Sequence, residues 1–110
     1  MCGKYNMMIE MDSFTRLKQQ LSKEYLTNDL TLTTMPVDFY PDVNSYIKDS
    51  DNKEALVMMA KLKRIRVTKL ASLACVSTPY EDIVAFLSPE EQVLYSELLD
   101  SVDKYWEVLT

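Results

Sequence analysis

The chain has 110 residues, 47% hydrophobic and 26% charged, which is enough for one domain with a real core and too little for two. A single glycine, Gly3, and four prolines disfavour an all-β sandwich, which needs many turn residues, and a phosphate-cradling loop, which needs glycines. There is no histidine, which removes Ser/His/Asp and Cys/His triads and every histidine-ligated metal site, and a net charge of −5 provides no overall field to attract nucleic acid or an anionic membrane.

The first eleven residues carry little pattern. They hold one lysine and no continuous apolar run, so no signal peptide is expected. No stretch of 18 apolar residues occurs anywhere, so no membrane span is expected, and the chain reads as intracellular. Cys2 and Cys75 lie far apart, which fits two free thiols in a reducing compartment better than a disulfide.

The first helix is expected over Ser13 to Tyr25, capped by Asp12, with Phe14, Leu17, Leu21 and Tyr25 as its apolar stripe. Leu26 to Pro36 is rich in threonine, which predicts an extended, partly buried connector. Asp38 can cap a second helix with Pro41 in its first turn, where a missing N–H is harmless, and Phe39, Val43, Tyr46 and Ile47 give that helix an apolar face. Ser50, Asp51 and Asn52 form a break.

The third and longest helix is expected from Lys53 to Val76. At about 100° per residue it shows two stripes. Leu56, Met59, Ala60, Val67, Leu70, Ala71 and Ala74 form a broad one, and Met58, Leu62, Ile65 and Leu73 form a second on another side. A surface helix needs one stripe, so two predict a position inside a bundle or between subunits. Thr78-Pro79-Tyr80-Glu81 then reads as cap, proline and acid for a short helix to about Phe86. Ser88-Pro89-Glu90-Glu91 repeats the pattern as a capping box, and the last helix runs to about Leu109 on Leu94, Tyr95, Leu98, Leu99, Val102, Tyr105, Trp106 and Leu109. The fold expected is therefore an all-α bundle of four to five helices in a single domain.

Three groups of residues could carry chemistry. Lys61, Lys63, Arg64, Arg66 and Lys69 pack five of the twelve basic residues into nine positions, which suggests a nucleic-acid patch. They point around nearly the whole helix, however, with Arg66 between the two stripes and Lys63 within the broad one. Pairing with carboxylates is expected instead, and no direct nucleic-acid contact. The acidic pairs Asp49 and Asp51, Glu81 and Asp82, and Glu90 and Glu91 sit at helix ends, where capping accounts for them better than acid–base catalysis or a Mg²⁺ site. The tyrosines Tyr40, Tyr46, Tyr80, Tyr95 and Tyr105 fall at stripe positions, favouring core or interface over a stacking platform. Trp106, the single tryptophan, needs cover from the bundle or from a partner, and seven methionines suit an adaptable interface. No catalytic residue, metal ligand or cofactor is expected.

Three segments, in order, resemble the helical A domain of the GINS family of DNA-replication factors. Met35-Pro-Val-Asp-Phe-Tyr40, containing Asp38 and Phe39 and followed by Asp42 to Ile47, is similar to the opening of the family's second helix. Lys63-Arg-Ile-Arg-Val-Thr-Lys-Leu-Ala71, containing Arg64, Arg66 and Lys69, is similar to its basic and apolar stretch. Leu87-Ser-Pro-Glu-Glu-Gln-Val-Leu-Tyr95, with Leu94, is similar to the start of its last helix. The resemblance covers roughly Phe14 to Trp106 and matches the subunit class in which the A domain precedes a β-rich B domain.

Two departures stand out: a shorter segment between the first two motifs, and no B domain, so that the chain reads as an A-domain fragment or a form lacking B. The resemblance implies a non-catalytic subunit of a homo- or hetero-tetramer of GINS subunits. That tetramer joins the MCM helicase to a Cdc45 or RecJ-like protein, in the cytoplasm beside an archaeal nucleoid or in a eukaryotic nucleus. Asp38, Phe39, Tyr40, Arg64, Arg66, Lys69, Leu94, Tyr95 and Trp106 are the residues it marks as motif or subunit interface. The competing expectation is a helical interaction or regulatory subunit unrelated to replication.

Overall fold

The computed structural model describes residues 12–28 and 30–109, and every regular element among them is helical. Helix α1 spans Ser13–Tyr25, α2 Phe39–Ser50, α3 Lys53–Cys75, α4 Tyr80–Ile83 with a 3₁₀ turn Val84–Phe86, and α5 Pro89–Leu109. The all-α bundle expected from the sequence is the observed fold. Cys2 and the rest of the first eleven residues lie outside the described residues.

The local reasons for these boundaries are mostly those of capping. Asp12 accepts the Thr15 N–H at 2.7 Å and starts α1, a cap worth about 1 kcal/mol. The following connector is held by Asn28, whose side chain accepts from the Leu30 N–H and the Thr31 hydroxyl. Leu32 and Met35 turn inward, and the Met35 N–H donates to the Phe86 carbonyl at 3.0 Å. Asp38 precedes α2 but makes no side-chain cap; it pairs instead with Arg16 of α1 at 3.2 Å, as does Asp42 at 3.1 Å. Asp51 closes α2 in the left-handed region (φ 55°), and Asn52 caps α3 through the Ala55 N–H at 3.0 Å.

Helix α3 ends in a Schellman motif with Ser77 at φ 59°: Ser77 N–H donates to Ala74 O and Thr78 N–H to Leu73 O, both at 3.0 Å. The expected Thr78 cap is absent. Pro79 occupies the cap position of α4, and the Thr78 carbonyl serves Tyr95 instead.

The core has two halves strung along α3. Leu17 and Leu21 of α1, Phe39, Tyr40 and Val43 of α2, and Ala55, Met59 and Leu62 of α3 form one. Leu70, Leu73 and Ala74 of α3, with Leu32, Ile83, Leu87 and Tyr95, form the other. Each fully buried leucine contributes about 1.5–3 kcal/mol. Arg66 and Lys69 occupy the stretch of α3 between the two halves.

This arrangement corrects the two-stripe reading of α3. Its buried residues are Ala55, Met59, Leu62, Arg66, Lys69, Leu70, Leu73 and Ala74, one face drawn partly from each expected stripe. The two stripes are flanks of a single face whose centre is charged, and a hydrophobicity wheel splits such a face in two. The outer members of the broad stripe, Leu56, Ala60 and Val67, are exposed. In α1, the stripe position expected for Tyr25 belongs to Glu24: Tyr25 faces solvent and Glu24 is buried. In α5, Leu94, Leu98, Leu99 and Val102 pack on the second core half, whereas Tyr105, Trp106, Val108 and Leu109 are exposed.

Candidate functional site

Arg66 and Lys69 lie one turn apart on α3 and both point into the body, with exposures of 1% and 3%. Two cations in that position need compensation, since an unpaired buried charge costs several kcal/mol. Two acids from other helices supply it. Glu91 takes the Arg66 guanidinium in two prongs, Nε to Oε2 at 2.8 Å and Nη2 to Oε1 at 2.6 Å. Glu24 accepts from Arg66 Nη1 at 3.0 Å and from Lys69 Nζ at 2.6 Å.

Backbone carbonyls complete the set. Arg66 donates to Thr33 O at 2.7 Å and Phe86 O at 3.0 Å, so each of its five N–H groups has a partner. Lys69 reaches the Glu24 and Thr31 carbonyls at 3.0 Å and the Thr27 hydroxyl. Thr33 donates its hydroxyl to Glu24, and Tyr40 donates its phenol to Glu91 Oε2 at 2.7 Å. Two acids and two bases leave the cluster neutral, and among the described residues no buried side-chain N or O lacks a partner.

Glu91 has a second duty. Its Oε1 accepts the Ser88 N–H at 3.0 Å while its own N–H donates to Ser88 Oγ at 3.3 Å, the reciprocal capping box expected from Ser88-Pro-Glu-Glu. One carboxylate therefore starts α5 and anchors it to α3. The cluster ties together α1, the connector, α2, α3, the 3₁₀ turn and α5.

The electrostatics follow from burial and pairing. Burial alone would raise the Glu24 carboxyl, but the hydrogen bonds from Lys69 and Thr33 and the charge of Arg66 outweigh it and hold the group below its ordinary value. Burial pulls the Arg66 guanidinium down, and the Glu91 contacts push it up further, so it stays charged. Tyr40 is driven well above the usual phenol range by burial and then by the adjacent Glu91 charge. Burial also raises Tyr95, whose hydroxyl donates to Thr78 O at 2.7 Å.

Of the nine residues marked from the sequence, Phe39, Tyr40, Arg66, Lys69 and Tyr95 are buried within the chain. Tyr40, Arg66 and Lys69 meet in the cluster, Phe39 packs edge-on against Tyr40 with ring centroids 5.6 Å apart, and Tyr95 stands in the second core half. Asp38, Arg64 and Trp106 are on the surface and Leu94 is half-buried. Of the basic run, Lys61, Lys63 and Arg64 are exposed and Arg66 and Lys69 are not. Sequence reasoning missed Glu24, Thr33 and the pairing role of Glu91. The signal for Glu24 was its spacing of three and seven from Leu21 and Leu17.

Beside the cluster, a groove of about 290 Å³ opens between α2, α3 and α5, lined by Tyr40 and Asn44, by Lys63, Arg66, Val67 and Leu70, and by Glu90, Glu91 and Leu94. The second surface feature is the exposed end of α5, where Tyr105, Trp106, Val108 and Leu109 are bare. Cys75 is a free, exposed thiol, and among the described residues no helix is long and apolar enough to cross a membrane. No protein-family model, curated protein or solved structure matches the chain.

Proposed function

We propose that the chain is a non-catalytic GINS-type subunit that scaffolds the replicative helicase assembly, joining the MCM ring to a Cdc45 or RecJ-like partner. The observation that carries this reading is the meeting of Tyr40, Arg66 and Glu91 through direct hydrogen bonds. Each comes from a different one of the three segments that resemble the family, so the resemblance falls on residues that act as one unit. The self-satisfied cluster also supports a scaffold, because its donors and acceptors are spent on holding helices together rather than left open to a substrate. The place of action is the cytoplasm beside an archaeal nucleoid, or a eukaryotic nucleus.

The test is capture of purified MCM ring and RecJ-like protein from the same source by the full tagged chain, with unwinding by the ring as second readout. Retention of both and faster unwinding is the expected result. Retention of neither by a chain whose circular dichroism is fully helical overturns it. The bare α5 end then favours the second reading, a helical interaction or regulatory subunit outside replication.

A further inference from the structure

The groove and the α5 end are chemically matched, and one cannot reach the other within a single molecule. The groove wall is apolar along Val67, Leu70 and Leu94, with Lys63 among its lining residues. The Lys63 amine reaches only the neutral Asn44 Oδ1, at 3.5 Å, and it makes no salt bridge among the described residues. An apolar slot with an uncompensated cation beside it favours an aromatic ring accompanied by a carboxylate: the ring fills the slot and stacks under the ammonium, and the acid neutralises it.

The α5 end carries that pair. Leu99, Val102, Trp106 and Leu109 recur at spacings of three, four and three, the first two half-buried and the last two 61% and 81% exposed. Asp103 precedes Trp106 by three residues and so neighbours it on the helix surface. Leu94 and Trp106 stand on one unbroken helix, twelve residues and therefore about 18 Å apart, so Trp106 cannot fold back into its own groove.

We propose that two copies of this chain associate through their α5 helices, Trp106 of each entering the groove of the other beside Lys63, with Asp103 as the accompanying acid. Antiparallel pairing makes the contact reciprocal: an alignment that sets Trp106 of one copy at Leu94 of the other sets Leu94 of the first at Trp106 of the second. The interface is thus isologous and closes at two copies. Glu90 also lines the groove, so a carboxylate is welcomed on the Lys63 side only, and Lys63→Glu replaces the exposed cation of the lining with a second exposed acid. The contact is argued from this chain's own surfaces and does not rest on the replication reading.

The experiment is light scattering of the full chain over about 1–100 μM, a span that brackets micromolar association. The expected mass at the upper end is twice 12.8 kDa. Trp106→Ala should weaken association about thirtyfold, as removal of a central aromatic anchor does, with unchanged helical dichroism because Trp106 is exposed. Lys63→Glu should weaken it as well, and Lys63→Glu with Asp103→Lys should restore it. Trp106 is the single tryptophan, so its emission should move to the blue as the wild-type dimer forms. A monomer throughout, a Trp106→Ala dimer as tight as wild type, or emission independent of concentration each overturns the proposal. A dimer that captures no helicase removes only the replication reading, and a monomer that captures it removes only this contact.

Discussion

Arg66 and Glu91 form a two-pronged pair, 2.8 and 2.6 Å, between the middle of α3 and the first turn of α5. Both side chains are buried, and Glu91 is at the same time the acid of the α5 capping box. The helix therefore begins where it docks, and the cap and the tertiary contact stand or fall together. A buried pair of this kind is no large source of net stability against an apolar replacement. Its force lies in asymmetry, since losing one partner strands the other.

That asymmetry separates neighbours in the basic run. Arg66→Ala leaves Glu91 without its guanidinium and should destabilise the fold by about 3–5 kcal/mol. Lys61→Ala, at an exposed position, should cost under about 0.5 kcal/mol. Urea unfolding followed by dichroism distinguishes them, and equal midpoints would show that Arg66 is not held in a buried pair on α3.

The same contrast holds between adjacent acids. Glu91→Ala removes the capping box and strands Arg66, so a loss of about 3–5 kcal/mol is expected. Glu90→Ala, exposed in the first turn of α5, loses only a favourable dipole interaction of about 0.3–1 kcal/mol. Thermal melts of the two variants should differ by many degrees, and a near-coincidence would show that Glu91 does not anchor α5.

Stability should fall at both ends of the pH scale, for different reasons. Glu24 binds its proton less readily folded than unfolded. Its contribution is complete above about pH 4.5, the ordinary value, and is lost as pH falls through the lower folded value. Tyr40 keeps its proton longer when folded. Above about pH 10 the unfolded chain ionises first and is favoured, so stability declines as pH rises. Chemical denaturation midpoints between pH 3 and 11 test both limbs, and Tyr40→Phe should make the alkaline one shallower, leaving the part that the buried Tyr95 contributes. An acid limb as steep in Glu24→Gln as in wild type would show that Glu24 does not carry it.

Ser77 holds φ 59° at the end of α3, where a Cβ is disfavoured. Ser77→Gly should stabilise the protein by about 0.5–1 kcal/mol, the relief of the left-handed strain exceeding the added entropy of the unfolded chain. A lower melting temperature in this variant would mean that the serine side chain makes a contact that offsets the strain.

Helix number, order and most boundaries were legible in the chain, because they rest on local signals: Asp12, Asn52 and the Ser88–Glu91 box act within three residues of themselves. The heart of the molecule was not. Periodicity placed Arg66 at a seam and foresaw carboxylate partners on a neighbouring helix or subunit, but it could not choose Glu24 and Glu91 from the chain's 17 acids, as those contacts span 42 and 25 residues. It also split the buried face of α3 into two stripes, because a wheel built on hydrophobicity scores a fully paired arginine and lysine as surface. Local sequence determines where a helix starts and stops, since its backbone donors and acceptors are satisfied within a turn. Which charges can be buried depends on whether opposite charges from distant segments arrive at the same point, and only the tertiary structure decides that.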